Sequence, residues 1–582
     1  MTTNVSSASL DGRDDGVGDV PRDEGAALES VENGEAVGIP SVAGVLRGLT
    51  RALAQAGPLS REAGRLARDT ARIVRGTDDH LPSPKDKRFT DPAWSQNPIY
   101  RRVGQLYFAS GSAASRLVDH LEAQHIDWHD VERARFAVNA LTSALAPTNT
   151  PIGNPAALKR AFDTAGSSVL SGLKNLAHDV RHNGGMPSQT DRTAFTVGED
   201  LALTPGAVVH RSGVAELIQY AVSTPTVRRR PVVVIPPPIG RYYFLDLRPG
   251  RSFVEYAASQ GLQVFMVSWR NPQQEQADWG MDVYAQGILD ALEAVREITG
   301  SEDVNTIGFC AGGILMSTVL SHLAQLDSPV VHSASYGVTL LDFDSEAPIG
   351  AFSAPRLLEL ARRDSRRKGI ISARSMGTVF AWMRPDDLVF NYVVNQWLMG
   401  ENPPVFDILA WNADGTNLPA RLHEQFLGVF RDNTLVRPGG LSVLGTPVDL
   451  SRIDVPTFVT GAVNDHLTPW AGCYRTTQLM SGPSTYVLSN AGHIASLVNP
   501  PGNPKASYSI GGEPGPDPEH WRQTAEKRTG TWWEAWADWA LERSGEERPA
   551  PTASGNADHP PLEPAPGSYV LDRTPPRPPI RA

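Results

Sequence analysis

Thr306-Ile307-Gly308-Phe309-Cys310-Ala311-Gly312-Gly313-Ile314 follows a run of β-favouring residues and opens into a helical pattern of Leu315, Val319, Leu320 and Leu323. Between the two, Gly308-Phe309-Cys310-Ala311-Gly312 has the form of a tight strand–turn–helix elbow with a nucleophile at its tip, cysteine standing where serine is usual. Glycine suits both flanks, because such a turn leaves little room for a Cβ two residues from the tip. The turn also sets Cys310 at the N-terminus of the next helix, whose dipole favours thiolate over thiol. A small buried cysteine in a glycine-rich turn would look the same locally. The surrounding chain decides between the two.

From Arg230 onward, short apolar β-rich runs alternate with helical patterns. The runs are Val232–Ile235, Val264–Val267, Asn305–Phe309, Val338–Leu341, Thr457–Thr460 and Thr485–Leu488, with a helix expected at Tyr284–Ile298. Such alternation predicts a mostly parallel sheet with helices on both faces. Roughly a hundred residues rich in aromatics (Phe380, Trp382, Phe390, Tyr392, Trp397, Phe406, Trp411) separate Leu341 from Thr457. So long an insertion between sheet strands reads as a cap over the site, at about 342–450.

An elbow nucleophile of this type is followed in the chain by an acid and then a histidine. Asp465 lies just after the run Thr457–Thr460, and His493 just after Thr485–Leu488. Each falls in a loop at the carboxyl end of its strand, where open α/β sheets place their chemistry. His493 can take the thiol proton as general base and hold the thiolate as an ion pair. His466, beside Asp465, reads as a supporting or structural residue. For the developing oxyanion, one donor is expected from the backbone N–H of Ala311 and a second from the loop Pro236-Pro237-Pro238-Ile239-Gly240. Proline has no N–H, so Ile239 carries the first available donor. Together these predict an α/β-hydrolase fold with Cys310, Asp465 and His493 as catalytic residues.

Around this catalytic region, expected at 230–545, the chain is uneven. Residues 1–84 divide into an acidic stretch to about residue 40, expected to be disordered for want of apolar surface to offset ordering entropy, and a basic amphipathic stretch. In the latter, Val42, Val45, Leu46, Leu49 and Leu53 keep helical spacing among seven arginines from Arg47 to Arg75, and Pro58 is expected to divide two helices. It could lie on a lipid or polymer surface, or pack on its own protein with a solvated basic face. Residues 85–229 read as mainly helical, with Trp94, Tyr100, Val103, Leu106, Tyr107, Phe136, Leu141, Phe162, Leu170 and Leu173 as core candidates. Extended runs close that region near Phe195–Val209 and Leu217–Tyr220. The proline-rich segment 546–582 is expected to be extended or disordered. The net charge of −11 gives no reason to expect nucleic acid, and two cysteines cannot form a disulfide scaffold. No signal peptide, membrane span, nucleotide loop, cofactor fingerprint or metal spacing is found, so a cytoplasmic enzyme without cofactor is expected.

The similarity to a known family reaches well beyond the elbow. It is carried by Asp86-Lys87-Arg88-Phe89, Ser188-Gln189-Thr190-Asp191, Tyr242-Tyr243-Phe244-Leu245-Asp246-Leu247 and Val267-Ser268-Trp269-Arg270-Asn271-Pro272. Arg384-Pro385-Asp386-Asp387-Leu388-Val389, Asn417-Leu418-Pro419, Asp465-His466, Pro469-Trp470, Gly492-His493-Ile494-Ala495 and Glu563-Pro564-Ala565-Pro566-Gly567 continue it. Over about residues 85–570 the chain resembles the poly(3-hydroxyalkanoate) synthases. Its long N-terminal region and Asn499-Pro500-Pro501 are similar to the single-polypeptide, class I-like members. Two features depart from the family: Pro-Pro-Pro-Ile-Gly stands where Cys and Asn commonly flank the isoleucine, and the first 80 residues have no counterpart.

The resemblance implies that Cys310 attacks the thioester of a 3-hydroxyacyl-CoA, releases CoA, and passes the acyl group to the hydroxyl of another unit or a growing polyester chain. It also implies a homodimer formed through the cap, a place at the surface of polyester granules and possible granule-associated partners. In the family Asp465 is assigned to activating the substrate hydroxyl, whereas in a plain hydrolase it would orient His493. The sequence leaves both roles open. It also leaves two alternatives: a cysteine thioesterase or polyester depolymerase of the same fold, and a non-catalytic granule-surface protein.

Overall fold

The computed structural model describes residues 56–78, 82–83, 86–124, 126–344 and 355–573. The acidic stretch, the apolar positions Val42 to Leu53 and the division of helices at Pro58 fall wholly or partly outside them. What is described of the basic segment is one helix, α1 (Ala56–Arg75), with Pro58 in its first turn. It packs against α2 (Pro98–Glu122), where Arg116 donates to the buried Glu62 carboxylate at 2.8 Å and Ile73 is fully covered. Its arginines face outward, the arrangement of a helix packed on its own protein.

The helical region continues with α3 (Trp128–Ala144), α4 (Pro155–Asp163) and α5 (Ser167–His182). Its ends follow local chemistry: Asn97, Asp127 and Asn154 each accept a first-turn N–H, and α2 and α4 start on proline. The core is small: Val118, Leu121, Val131 and Ala134 form one cluster, and the expected Trp94 is buried with its ring 4.7 Å from Phe89. Several expected core residues are exposed: Phe162 (87%), Leu170 (64%), Leu173, Leu141 and Val103. The helical period is right but α5 is turned over. Its buried face is Ser168, Gly172, Asn175 and Asp179, set against the cap segment Val393–Leu398. Asn175 donates to the carbonyls of Gln396 (3.1 Å) and Glu401 (2.8 Å), and Trp397 Nε1 donates to Asp179 (2.8 Å). A Cβ on Gly172 would fall 2.1 Å from the Trp397 carbonyl, so the two backbones meet directly.

The catalytic region is built on one sheet of eleven strands: β1 (Gly206–Arg211), β2 (Ala215–Tyr220), β3 (Val232–Ile235), β4 (Val264–Trp269), β5 (Val304–Phe309), β6 (Val331–Gly337), β7 (Thr457–Ala462), β8 (Ser484–Ser489), β9 (Ser507–Ile510), β10 (Glu526–Thr529) and β11 (Glu563–Pro564). Their order is β10-β9-β8-β7-β6-β5-β3-β4-β2-β1-β11. The inner six, β4-β3-β5-β6-β7-β8, are parallel, and the outer strands pair antiparallel. Helices α6 (Met281–Thr299), α7 (Ala311–Gln325) and α12 (Trp532–Arg543) cover it; α8 (Pro355–Lys368), α9 (Ala373–Met383), α10 (Asp407–Ala413) and α11 (Ala420–Asp432) belong to the expected cap. The inner strands are buried along nearly their whole length, as a parallel sheet covered on both faces requires.

Three expectations need correction. The sheet begins at Gly206, ahead of the expected boundary at 230, because β1 and β2 form its edge. The run Val338–Leu341 is not a strand; the strand is Val331–Gly337, and Val338 takes φ of 43°, which ends it. The proline-rich tail joins the fold, since β11 pairs with β1 and Val570 is 1% exposed. Among the described residues no helix is long and apolar enough to cross a membrane.

Candidate active site

The segments that directly follow β3, β5, β7 and β8 carry Ile239, Cys310 and Ala311, Asp465 and His466, and His493. Cys310 sits between β5 and α7 with φ 48° and ψ −123°, a conformation rare for a residue with a side chain. Contacts over-determine it. Its N–H donates to the Gly337 carbonyl at the end of β6 (2.9 Å), and its own carbonyl accepts from Gly313 N–H (3.0 Å) and the Thr339 hydroxyl (3.3 Å). The glycines are required by space: a Cβ at Gly308 would lie 2.7 Å from Gly313 Cα, and one at Gly312 would lie 2.3 Å from the Ile235 carbonyl. Cys310 is partly accessible, whereas Cys473 is buried with its thiol on the Thr468 carbonyl (3.5 Å), and burial pushes that thiol well up.

Asp465 and His493 meet at 2.6 Å between Oδ2 and Nδ1, both buried. The aspartate side chain is 0% exposed, and its lone pairs are taken up within the protein. Oδ1 accepts the N–H groups of Leu467 (2.8 Å) and Thr468 (2.9 Å); Oδ2 accepts the Thr468 hydroxyl (2.8 Å) besides His493. Burial alone would raise this carboxyl, but the His493 charge and these donors outweigh it and hold it below the usual range. Burial likewise works against a charged His493, yet Asp465 and a hydrogen bond to Cys310 raise it to about 10. Cys310 thus neighbours a His493 ring whose Nδ1 is engaged by the acid. His466 stands aside from them. Burial, then the positive charge of Arg384, push it down to about 4, so it is neutral.

The loop after β3 is held in an unusual way. Its prolines remove the donors a loop normally uses, and side chains from elsewhere grip its carbonyls instead. Trp269 Nε1 donates to Pro236 O (2.8 Å), the Thr416 hydroxyl to Pro238 O (2.7 Å), and Trp411 Nε1 to Arg241 O (2.7 Å). Gly240 bridges to Gly415 of the cap. Among the described residues no turn or loop carbonyl accepts from the N–H of Ile239 or Ala311.

Sequence reasoning missed Thr468, Thr339, Trp411 and Arg241. Thr468 left a signal, because an aspartate followed three residues later by threonine suits a turn in which the carboxylate caps both following N–H groups. The other three act across large separations in the chain and left none.

Residues 85–257 match the family described as poly-beta-hydroxybutyrate polymerase N-terminus, and residues 241–500 match the alpha/beta hydrolase fold. The chain is 46% identical over 493 residues to poly(3-hydroxyalkanoate) polymerase 2 of Ectopseudomonas oleovorans, covering 84% of this chain and 87% of that one. It is 44% identical over 492 residues to polymerase 1 of the same organism, with the same coverage. To the poly(3-hydroxyalkanoate) polymerase subunit PhaC of Cupriavidus necator it is 37% identical over 494 residues, 83% of each chain. Similarity of this degree over 84% of the chain shows that the chain belongs to the poly(3-hydroxyalkanoate) polymerase family of acyltransferases.

Proposed function

We propose that the chain polymerises 3-hydroxyacyl-CoA thioesters into polyhydroxyalkanoate through an acyl-cysteine at Cys310, releasing CoA. The observation that carries this is the buried Asp465–His493 pair beside Cys310 at the tip of a hydrolase elbow, in a chain of the polymerase family. In the first half-reaction the Cys310 sulfur attacks the thioester carbonyl, whose oxygen turns to the N–H groups of Ala311 and Ile239. The tetrahedral intermediate collapses, the C–S bond to CoA breaks, and His493 returns the proton to the leaving thiolate. In the second, the hydroxyl of another hydroxyacyl unit or chain gives its proton to His493 and attacks the acyl-cysteine; an ester forms and the cysteine is freed. Thioester to ester runs downhill, so the reaction draws on no nucleotide.

Asp465 is read here as the group that orients and charges His493 in both halves. Its carboxylate is enclosed and already accepts four donors, which leaves no lone pair for a substrate hydroxyl. Homodimerisation and a location at polymer granules complete the proposal and rest on the family resemblance; sedimentation with and without a substrate analogue tests the first.

Pre-steady-state CoA release from 3-hydroxybutyryl-CoA tests the chemistry. Asp465→Asn and His493→Ala should both lose the initial burst, Asp465→Asn less completely. A full burst in Asp465→Asn followed by stalled turnover would return the carboxylate to the hydroxyl. Insoluble ester as product marks polymerisation; free acid would mark a thioesterase.

A further inference from the structure

The tail beyond Pro561 reaches the same loop that carries Ile239. Leu562 N–H donates to Val208 O and Ala565 N–H to Gly206 O, which lays the tail along the sheet edge. The buried Glu216 carboxylate then anchors it, accepting Ser568 Oγ on Oε1 and Tyr569 N–H on Oε2, each at 2.9 Å. Tyr569 OH donates to Ser212 O (2.8 Å), and Val570 is buried. From there the tail turns to Arg241, which follows Gly240 directly. Arg241 is 3% exposed, and its two terminal nitrogens donate to Tyr569 O (3.0 Å) and Asp572 O. Arg573 pairs with Asp414, whose other oxygen accepts Tyr243 OH (3.1 Å), and Asp414 adjoins the Gly415 that bridges to Gly240.

A buried guanidinium gripping two main-chain carbonyls is costly to place and rigid once placed, because its planar fork fixes direction as well as distance. A loop with three prolines has few backbone donors of its own to hold it. The side chains of the cap root hold one side of this loop, and the tail holds its exit. We infer that residues 562–573 form a strap that, through Arg241 as a positioning residue, sets the Ile239 N–H for the oxyanion. This rests on the reading of Ile239 as an oxyanion donor given above.

Arg241→Lys tests it, since lysine keeps the charge and loses the fork. The expected result is an acylation burst about 10- to 100-fold slower, with KM moving much less, because a small displacement of an oxyanion donor acts on the transition state. Alkylation of Cys310 by iodoacetamide needs no oxyanion site and should keep its rate, as should the melting midpoint. A second variant, Glu216→Ala in the full chain, removes the carboxylate that holds Ser568 and Tyr569 and should slow the burst in the same way. A wild-type burst in either variant overturns the strap, and so does a loss of alkylation equal to the loss of acylation. Melting midpoints lowered in both variants would also overturn it, since the tail would then hold the fold and not the loop. Failure of the strap is distinct from failure of the cysteine mechanism, which shows as CoA release persisting in Cys310→Ala.

Discussion

The parallel sheet and the helical region ahead of it solve the same packing problem in opposite ways. In the sheet, strands such as Val232–Ile235 and Val304–Phe309 are buried along their length, and two large apolar clusters fill both faces. In the helical region, α5 turns small and polar side chains inward, bonds Asn175 and Asp179 to the cap, and leaves Val169, Leu170 and Leu173 exposed. Apolar burial is non-directional and holds the sheet as a block. Hydrogen bonds between α5 and the cap are directional, and each contributes only about 1 kcal/mol net. The difference teaches that the catalytic loops stand on a base whose strength lies in packing, while the helical region is joined to the cap by register.

The largest effect is expected where the chemistry stands. Cys310→Ala should bring CoA release down to background, a loss of at least about 10³-fold, with the melting midpoint unchanged because alanine fits the cysteine's space. Next, Gly312→Ala drives a Cβ into the Ile235 carbonyl and should destabilise the sheet region by about 3 kcal/mol in urea unfolding. A tolerated alanine there would mean the elbow is looser than its packing. On the other side, Asn175→Ala removes two hydrogen bonds from the α5–cap contact and should cost about 1–2 kcal/mol, read as faster amide exchange in α5.

The two kinds of join also answer differently to pH. His493 is raised to about 10, above an unfolded value near 6.5. Its contribution is therefore complete below about 6.5 and fades as pH climbs through about 10. The stability gap between wild type and His493→Gln should narrow across that window, whereas the gap to Asn175→Ala, a neutral pair, should stay level. Smallest of all, Leu170→Gln and Leu173→Gln on the exposed face of α5 should each change stability by less than about 0.5 kcal/mol. A loss of several times that would show that something covers this face in solution.

Local sequence carried much of the site. Glycines around Cys310, five of the six apolar runs, and an acid and a histidine just past the ends of their strands all follow from spacing and backbone sterics, which neighbours in the chain determine. So did the helices of residues 98–182, but not which way they faced. Periodicity gives a helix two faces, and only the partner surface says which is buried; for α5 the cap presented carbonyls, and the polar face won. The strand Val331–Gly337 escaped for a related reason. Its Ser333 and Ser335 look unlike core residues until Asn305 and Trp536 arrive to hydrogen-bond them. The tail and Arg241 were beyond reach altogether, since contacts such as Glu216 with Tyr569 join residues hundreds of positions apart and leave no period in the chain. Neighbouring residues alone fixed the elbow, the chain order of Cys310, Asp465 and His493, and most of the parallel sheet beneath them. Only the tertiary structure decided how Asp465 is enclosed, what holds a loop of prolines in place, and which faces of the helices meet the cap, because each of those depends on directional bonds between distant parts of the chain.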